Sequence, residues 1–106
     1  MTSPVYMIGQ HSIEDFERYR QAYGVPVTQQ LARAGAEVIG GDPSPVVLEG
    51  TWTWNWTTII RFPGQEAVRA WYDSPEYAPL KSARREKLTR GGNLVLVRAF
   101  DPALAR

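Results

Sequence analysis

The first apolar run, Val5-Tyr6-Met7-Ile8, follows Pro4 and carries β-branched, aromatic and aliphatic side chains on both alternating faces. That pattern predicts a strand buried on both sides, with Gly9 to His11 as its exit. Ser12 is a candidate N-cap with Asp15 placed as in a capping box, and Glu14, Asp15 and Glu17 suit the positive end of a helix. Phe16, Tyr19, Tyr23, Val27 and Leu31 then recur at helical spacing. Gly24 and Pro26 interrupt this stripe, proline because it lacks an amide donor and its ring clashes with the preceding turn, so a kink or two short helices is expected. Gly35 fits a left-handed C-cap, and Glu37-Val38-Ile39 a second strand.

Gly40 to Pro45 is turn chemistry leading into Val46-Val47-Leu48-Glu49, read as a hairpin arm. From Thr51 to Phe62 polar and apolar positions alternate, with Trp52, Trp54, Trp56, Thr58, Ile60 and Phe62 on one face. This predicts one long strand, or two broken near Asn55. Pro63-Gly64 ends it, and Ala67, Val68 and Trp71 mark a helix stopping near Asp73. Ser74-Pro75 starts another helix, whose stripe is Tyr77, Leu80, Arg84 and Leu88, and Pro79 is expected to loosen its first turn. Gly91-Gly92 closes that helix, Leu94 to Val97 is a last strand apolar on both faces, and 101–106 is a frayed tail.

Strand, helix, strand, strand, helix, strand is the order of an α+β, ferredoxin-like βαββαβ domain with a four-stranded antiparallel sheet, here over 1–100. Two helices cover one sheet face, yet the first and last strands are apolar on both. A second copy presenting the same sheet is the simplest cover.

Composition narrows the chemistry. The 106 residues contain no cysteine, which excludes disulfides, a thiolate nucleophile, iron-sulfur clusters and sulfur-ligated zinc. His11 is the sole histidine, so multi-histidine metal sites are excluded and no metal is expected. Neither a secretory signal nor a transit peptide nor a membrane span is read, and a cytoplasmic location is expected. The net charge of +1 offers no general reason to bind nucleic acid or membrane. Charge is uneven, however: residues 1–60 carry three basic and six acidic side chains, 61–106 nine and five, a complementarity that favours self-association.

Three segments, Leu48-Glu49-Gly50-Thr51-Trp52, Ile59-Ile60-Arg61-Phe62-Pro63 and Ala70 to Tyr77, resemble an uncharacterised family of the dimeric alpha/beta-barrel superfamily, domain of unknown function 1330. The resemblance spans nearly the whole chain, and Trp71 to Tyr77 after the Phe62-Pro63 strand end is its most specific element. It implies a ferredoxin-like protomer whose sheet packs face to face against that of a second subunit. Related branches of the superfamily include cofactor-independent oxygenases, polyketide cyclases and lactone isomerases, which use a pocket between sheet and helices. The family itself has no agreed reaction to carry over. The chain departs from the pattern at Asn55 and Trp56, where similar sequences often carry basic residues, so no anion site is borrowed from relatives.

Trp52, Trp54 and Trp56 would form an aromatic wall for a flat ligand, or alternatively pack a core or interface. Glu49, buried beside indoles, would have a raised pKa suited to proton transfer; the plain alternative is a hairpin carboxylate paired with arginine or water. His11 is the other candidate acid or base, or else a solvated loop residue. Tyr19, Tyr23, Tyr72 and Tyr77 lie on helices facing the sheet, with Tyr72 and Tyr77 the stronger candidates, while Ser74 reads as a structural cap. Arg61 lies on the opposite strand face, at the expected subunit interface. Lys81, Arg84, Arg85, Lys87 and Arg90 read as a solvated basic face. No Gly-rich phosphate loop occurs, and no cofactor is expected. Together these features suggest a homodimer binding a small apolar or aromatic metabolite through Trp52, Trp54, Trp56, Tyr19, Tyr72 and Tyr77. Any catalysis would be cofactor-independent isomerase, cyclase, lyase or monooxygenase-like chemistry with Glu49 or His11 as base. A noncatalytic binding or assembly module is the alternative, and RNA contact through the basic helix 81–90 a weaker one.

Overall fold

In the computed structural model, which describes residues 3–105, β1 spans Val5–His11 and alternates between buried and half-buried positions along its whole length. Gly9 to His11, expected as an exit, are part of the strand. Its two neighbours take up the backbone groups on both sides: His11 lies opposite Trp56 on one flank and Gly92 on the other. A central strand with both ladders available overrides the weak propensity of Gly9.

The first helix is capped by Asp15, whose side chain accepts from the Arg18 amide at 3.0 Å, and Ser12 does not take that role. Helix α1 (Phe16–Tyr19) runs through one wide π-type turn (Arg20–Gly24) into α2 (Val25–Arg33), with Pro26 in the first turn of α2. The wide turn is the form the expected interruption takes. Pro26 has no amide to offer Ala22, and the Val25 amide instead reaches back to the Arg20 carbonyl, so the helix continues and Tyr19, Tyr23, Val27 and Leu31 stay buried on one face. Gly35 adopts φ 78°, the left-handed stop expected of it.

Strand β2 (Glu37–Asp42) bulges between Val38 and Gly40, and β3 covers Trp56–Phe62. The hairpin arm expected at Val46 to Glu49 is absent: residues 43–55 form an irregular connection with Val46 86% and Leu48 91% exposed. Pro43 and Pro45 remove amides that a ladder would need. Asn55 ends the alternation in its own way. Its side-chain oxygen accepts from the Ile13 amide and its NH₂ donates to the Ile13 carbonyl, both at 2.7 Å. Trp52 and Trp54 therefore precede the strand and do not share the Trp56 face.

Helix α3 (Gln65–Tyr72) is followed by a turn in which Ser74 Oγ donates to the Trp71 carbonyl and accepts from the Tyr77 amide. Helix α4 (Ala78–Ala83) holds Pro79 in its first turn and continues through a second π-type turn, Arg84–Leu88. Strand β4 (Gly92–Arg98) closes the sheet, and Pro102–Ala105 form an exposed 3₁₀ turn; Met1, Thr2 and Arg106, at the edges of the expected domain and tail, lie outside the described residues. Gly92 sits at φ 137°, where a Cβ would overlap the Gln10 carbonyl oxygen.

The sheet order is β2-β3-β1-β4, antiparallel throughout, the ferredoxin-like arrangement. Val5, Met7, Ile60 and Phe62 face the helices and pack with Tyr23, Leu31, Val68, Trp71 and the fully buried Tyr77. With a thickness of 18 Å, the protomer has room for one sheet and one helical layer only. Its other sheet face, with Ile59, Val95 and Val97, is 36–49% exposed at those positions.

Candidate functional site

Between sheet and helices lies a cavity of about 110 Å³. Its walls come from the helical stripe (Tyr19, Tyr23, Val27), from the inner sheet face (Met7, Ile60, Trp56) and, at one end, from His11 and Arg84. The Asn55 clamp on Ile13 fixes the end of β1 beside the start of β3, which sets His11 opposite Trp56. Phe16 packs edge-on against the Trp56 ring at 5.0 Å between centroids. Such a space is smaller than the roughly 300–1,000 Å³ of drug-sized pockets and of the order that admits a single ring.

The polar end is a chain of four side chains. Tyr23 and Tyr77 hydroxyls lie 2.6 Å apart, Arg84 Nε donates to the Tyr77 hydroxyl at 3.4 Å, and an Arg84 terminal nitrogen donates to His11 Nε2 at 3.4 Å. Because arginine can only donate, Nε2 is the acceptor and the ring proton of His11 resides on Nδ1. Burial first, and then the Arg84 charge, pushes the His11 pKa from 6.5 down to about 4, so the ring is neutral at physiological pH. Burial pushes Tyr19 up to about 12 against the opposing pull of Arg84, and holds Tyr23 well above 10 with help from Tyr77. Both phenols are thus protonated donors. For Arg84 burial disfavours the charge, but the Tyr77 and Tyr23 oxygens outweigh it and its pKa is raised. The cavity end therefore holds one fixed positive charge, one neutral imidazole and protonated phenols.

Of the candidate site residues singled out from the sequence, His11, Tyr19, Tyr23 and Trp56 line the cavity. Tyr77 stands behind it, fully buried, and reaches it through Tyr23 and Arg84. Tyr72 does not line the cavity but borders two surface hollows, one with Val68 and Leu94 to Leu96 and one that it shares with His11 and Arg84, and Lys81 Nζ sits 4.1 Å over its ring. Glu49 is exposed on the 43–55 connection, without the expected burial beside indoles. On the same connection Trp52 is 43% exposed, donating to Thr57 Oγ1, and Trp54 is half-buried; neither borders the cavity. Arg61 pairs with Glu37 and Tyr6 positions on the exposed sheet face. Arg84, expected on a solvated basic face, is instead 6% exposed and turned inward. The signal for this is its place on the stripe Tyr77, Leu80, Arg84, Leu88, which outweighs its membership of a charge run. Among the described residues no cluster of three potential metal ligands occurs, and no helix is long and apolar enough to cross a membrane.

The model of a family described as Domain of unknown function (DUF1330) matches residues 4–100. No curated protein matches the chain. Among solved structures it is similar to RPA0582, a protein of unknown function from Rhodopseudomonas palustris, at 17% identity over 96% of this chain and 86% of that one, with a TM-score of 0.77. It is also similar to a variant of SnoaB, a cofactor-independent oxygenase from Streptomyces nogalater, at 14% identity over 94% and 96% of the two chains, with a TM-score of 0.68. A third likeness is to a dimeric protein of unknown function and ferredoxin-like fold from Bacteroides fragilis, at 13% identity over 91% and 96%, with a TM-score of 0.56. At these identities the shared property is the fold.

Proposed function

The chain belongs to the DUF1330 family, and on that premise we propose that it is a homodimer binding a small, flat, largely apolar ligand in the cavity between sheet and helices. The observation that carries this reading is the cavity itself: aromatic and aliphatic walls that end in the His11–Arg84 pair, the build of a site that takes an apolar body and orients one polar group. A packed core would have closed such a space, since interiors are filled to crystal-like density. SnoaB, of the same fold, is a cofactor-independent oxygenase, which is consistent with a ligand held without a cofactor. Proton transfer, expected of Glu49 or His11, falls to His11, because Glu49 stands on the exposed connection. A base whose pKa is about 4 is weak, so the geometry favours binding over turnover.

Pairing is supported by area. The chain exposes 7312 Å², whereas a folded monomer of this mass exposes about 5,900 Å². The excess of roughly 1,400 Å² is more than the ~800 Å² each partner buries in a standard interface. A dimeric relative of this fold supports the same assignment.

Titration of isotope-labelled protein with phenol and indole, followed by NMR, tests the ligand reading. Saturable shifts at the Trp56 indole N–H and the His11 ring, with Trp52 unmoved, are expected. Shifts confined to Trp52, or none at concentrations where indole is soluble, would remove the cavity as a ligand site.

A further inference from the structure

We infer that the ligand of this cavity carries a carboxylate and that Arg84 is the group that seats it, an inference that rests on the ligand reading above. Arg84 as a residue is 6% exposed, so its side chain has lost most of its water, and a buried charge without a counter-charge is costly. Proteins ordinarily offset that cost with an acidic side chain. Here, among the described residues, the ion pairs are Arg20 with Glu17 and Arg90 with Glu14, both at the surface, and Arg84 has none. Its hydrogen-bond partners are a neutral imidazole and the Tyr77 phenol, and the Tyr23 oxygen also favours its charged form, but none of these carries a negative charge. Among the described residues no aspartate or glutamate lines the cavity, and none lines the hollow on the other side of Arg84.

Of the five guanidinium N–H groups, two are engaged in these contacts. No enclosed side-chain polar atom among the described residues lacks a partner, so the guanidinium nitrogen outside these two contacts keeps access to solvent, and Arg84 borders the cavity and the hollow beside it. A carboxylate fits this end. It accepts from two guanidinium N–H groups at once, and its single charge balances the single cation. A phosphoryl dianion would bring a second charge for which the apolar walls hold no partner. The phenols of Tyr19 and Tyr23 lie along the same cavity wall as protonated donors for a further ligand oxygen. The rest of the ligand is a ring or short hydrocarbon matched to Trp56, Val27 and Ile60.

The test compares benzoate with benzamide, alike in shape and different in charge, by calorimetry on the intact protein near neutral pH. Benzoate is expected to bind about tenfold or more tightly than benzamide. Arg84→Met should abolish that preference, lowering benzoate affinity by more than it lowers that of benzamide, and Arg84→Lys, keeping a point charge without the fork, should retain part of it. Equal affinities in the unmodified protein, which needs no variant to fold, would overturn the inference and leave the ligand reading standing. So would a benzoate preference that survives in Arg84→Met. If neither probe binds, the ligand reading fails first, and the carboxylate inference goes with it.

Discussion

Acidification should weaken this fold through one residue. His11 is buried, neutral and placed against a permanent cation, so its protonation is opposed in the folded state and unopposed in the unfolded chain. Between about pH 6.5 and about pH 4 the unfolded chain binds the extra proton and the folded one does not, so stability falls as pH drops through that window. The size follows from the fall of the pKa from 6.5 to about 4: at about 1.4 kcal/mol for each pH unit, some 3 kcal/mol is lost by about pH 4. That is a large share of the ~5–15 kcal/mol that holds a domain folded. The assay is urea denaturation at fixed protein concentration across this range, for the natural chain and for His11→Gln, whose amide oxygen can still accept from Arg84. Carboxylates such as Glu17, whose pKa is lowered by its bond with Arg20, contribute equally to both and cancel in the difference. The natural chain is expected to lose about 3 kcal/mol more than the variant. As the sole histidine, its ring signal can be titrated without ambiguity. Parallel stability curves, or a ring that titrates near 6.5, would refute the reasoning.

Other substitutions separate the parts of the site. Tyr77→Phe leaves the buried Tyr23 hydroxyl without its 2.6 Å partner and should cost about 1–3 kcal/mol in denaturant midpoint analysis; Tyr23→Phe added to it should cost less than the sum of the two singles. Asn55→Ala removes both bonds to Ile13, for an expected loss of about 1–3 kcal/mol together with weaker binding of ring probes, because Trp56 and His11 are no longer held opposite each other. Val95→Asp, on the uncovered sheet face, should convert the dimer to monomer in sedimentation velocity; an unchanged sedimentation coefficient would move the interface elsewhere.

Elements with strong periodicity are legible in the amino-acid sequence. The stripe from Tyr19 to Leu31, the helix around Val68 and Trp71, and the two-sided apolar character of β1 and β4 fix the ferredoxin-like layering and the need for a cover on the second sheet face. What periodicity cannot show is where an alternating run stops being a strand. Thr51 to Trp54 alternate as cleanly as Trp56 to Phe62, yet the Asn55 side chain takes the Ile13 backbone groups and the ladder begins only after it. The site is half legible for the same kind of reason. Trp56, Tyr19 and His11 are identifiable by type and place, whereas the candidacy of Glu49 depends on burial beside a strand that does not form. Arg84 is hidden among surface cations in the chain, and only its helical phase distinguishes it from Arg85 and Lys87. Side-chain type suggests a surface, but position on the apolar stripe decides burial.

A crystal structure of the protein soaked with benzoate tests the central claim most directly. Two protomers joined through their uncovered sheet faces are expected, with a ring beside Trp56 and Tyr19 and both carboxylate oxygens against the Arg84 guanidinium. A cavity closed by repacked side chains, or benzoate bound elsewhere with Arg84 paired to an acidic residue, would contradict it.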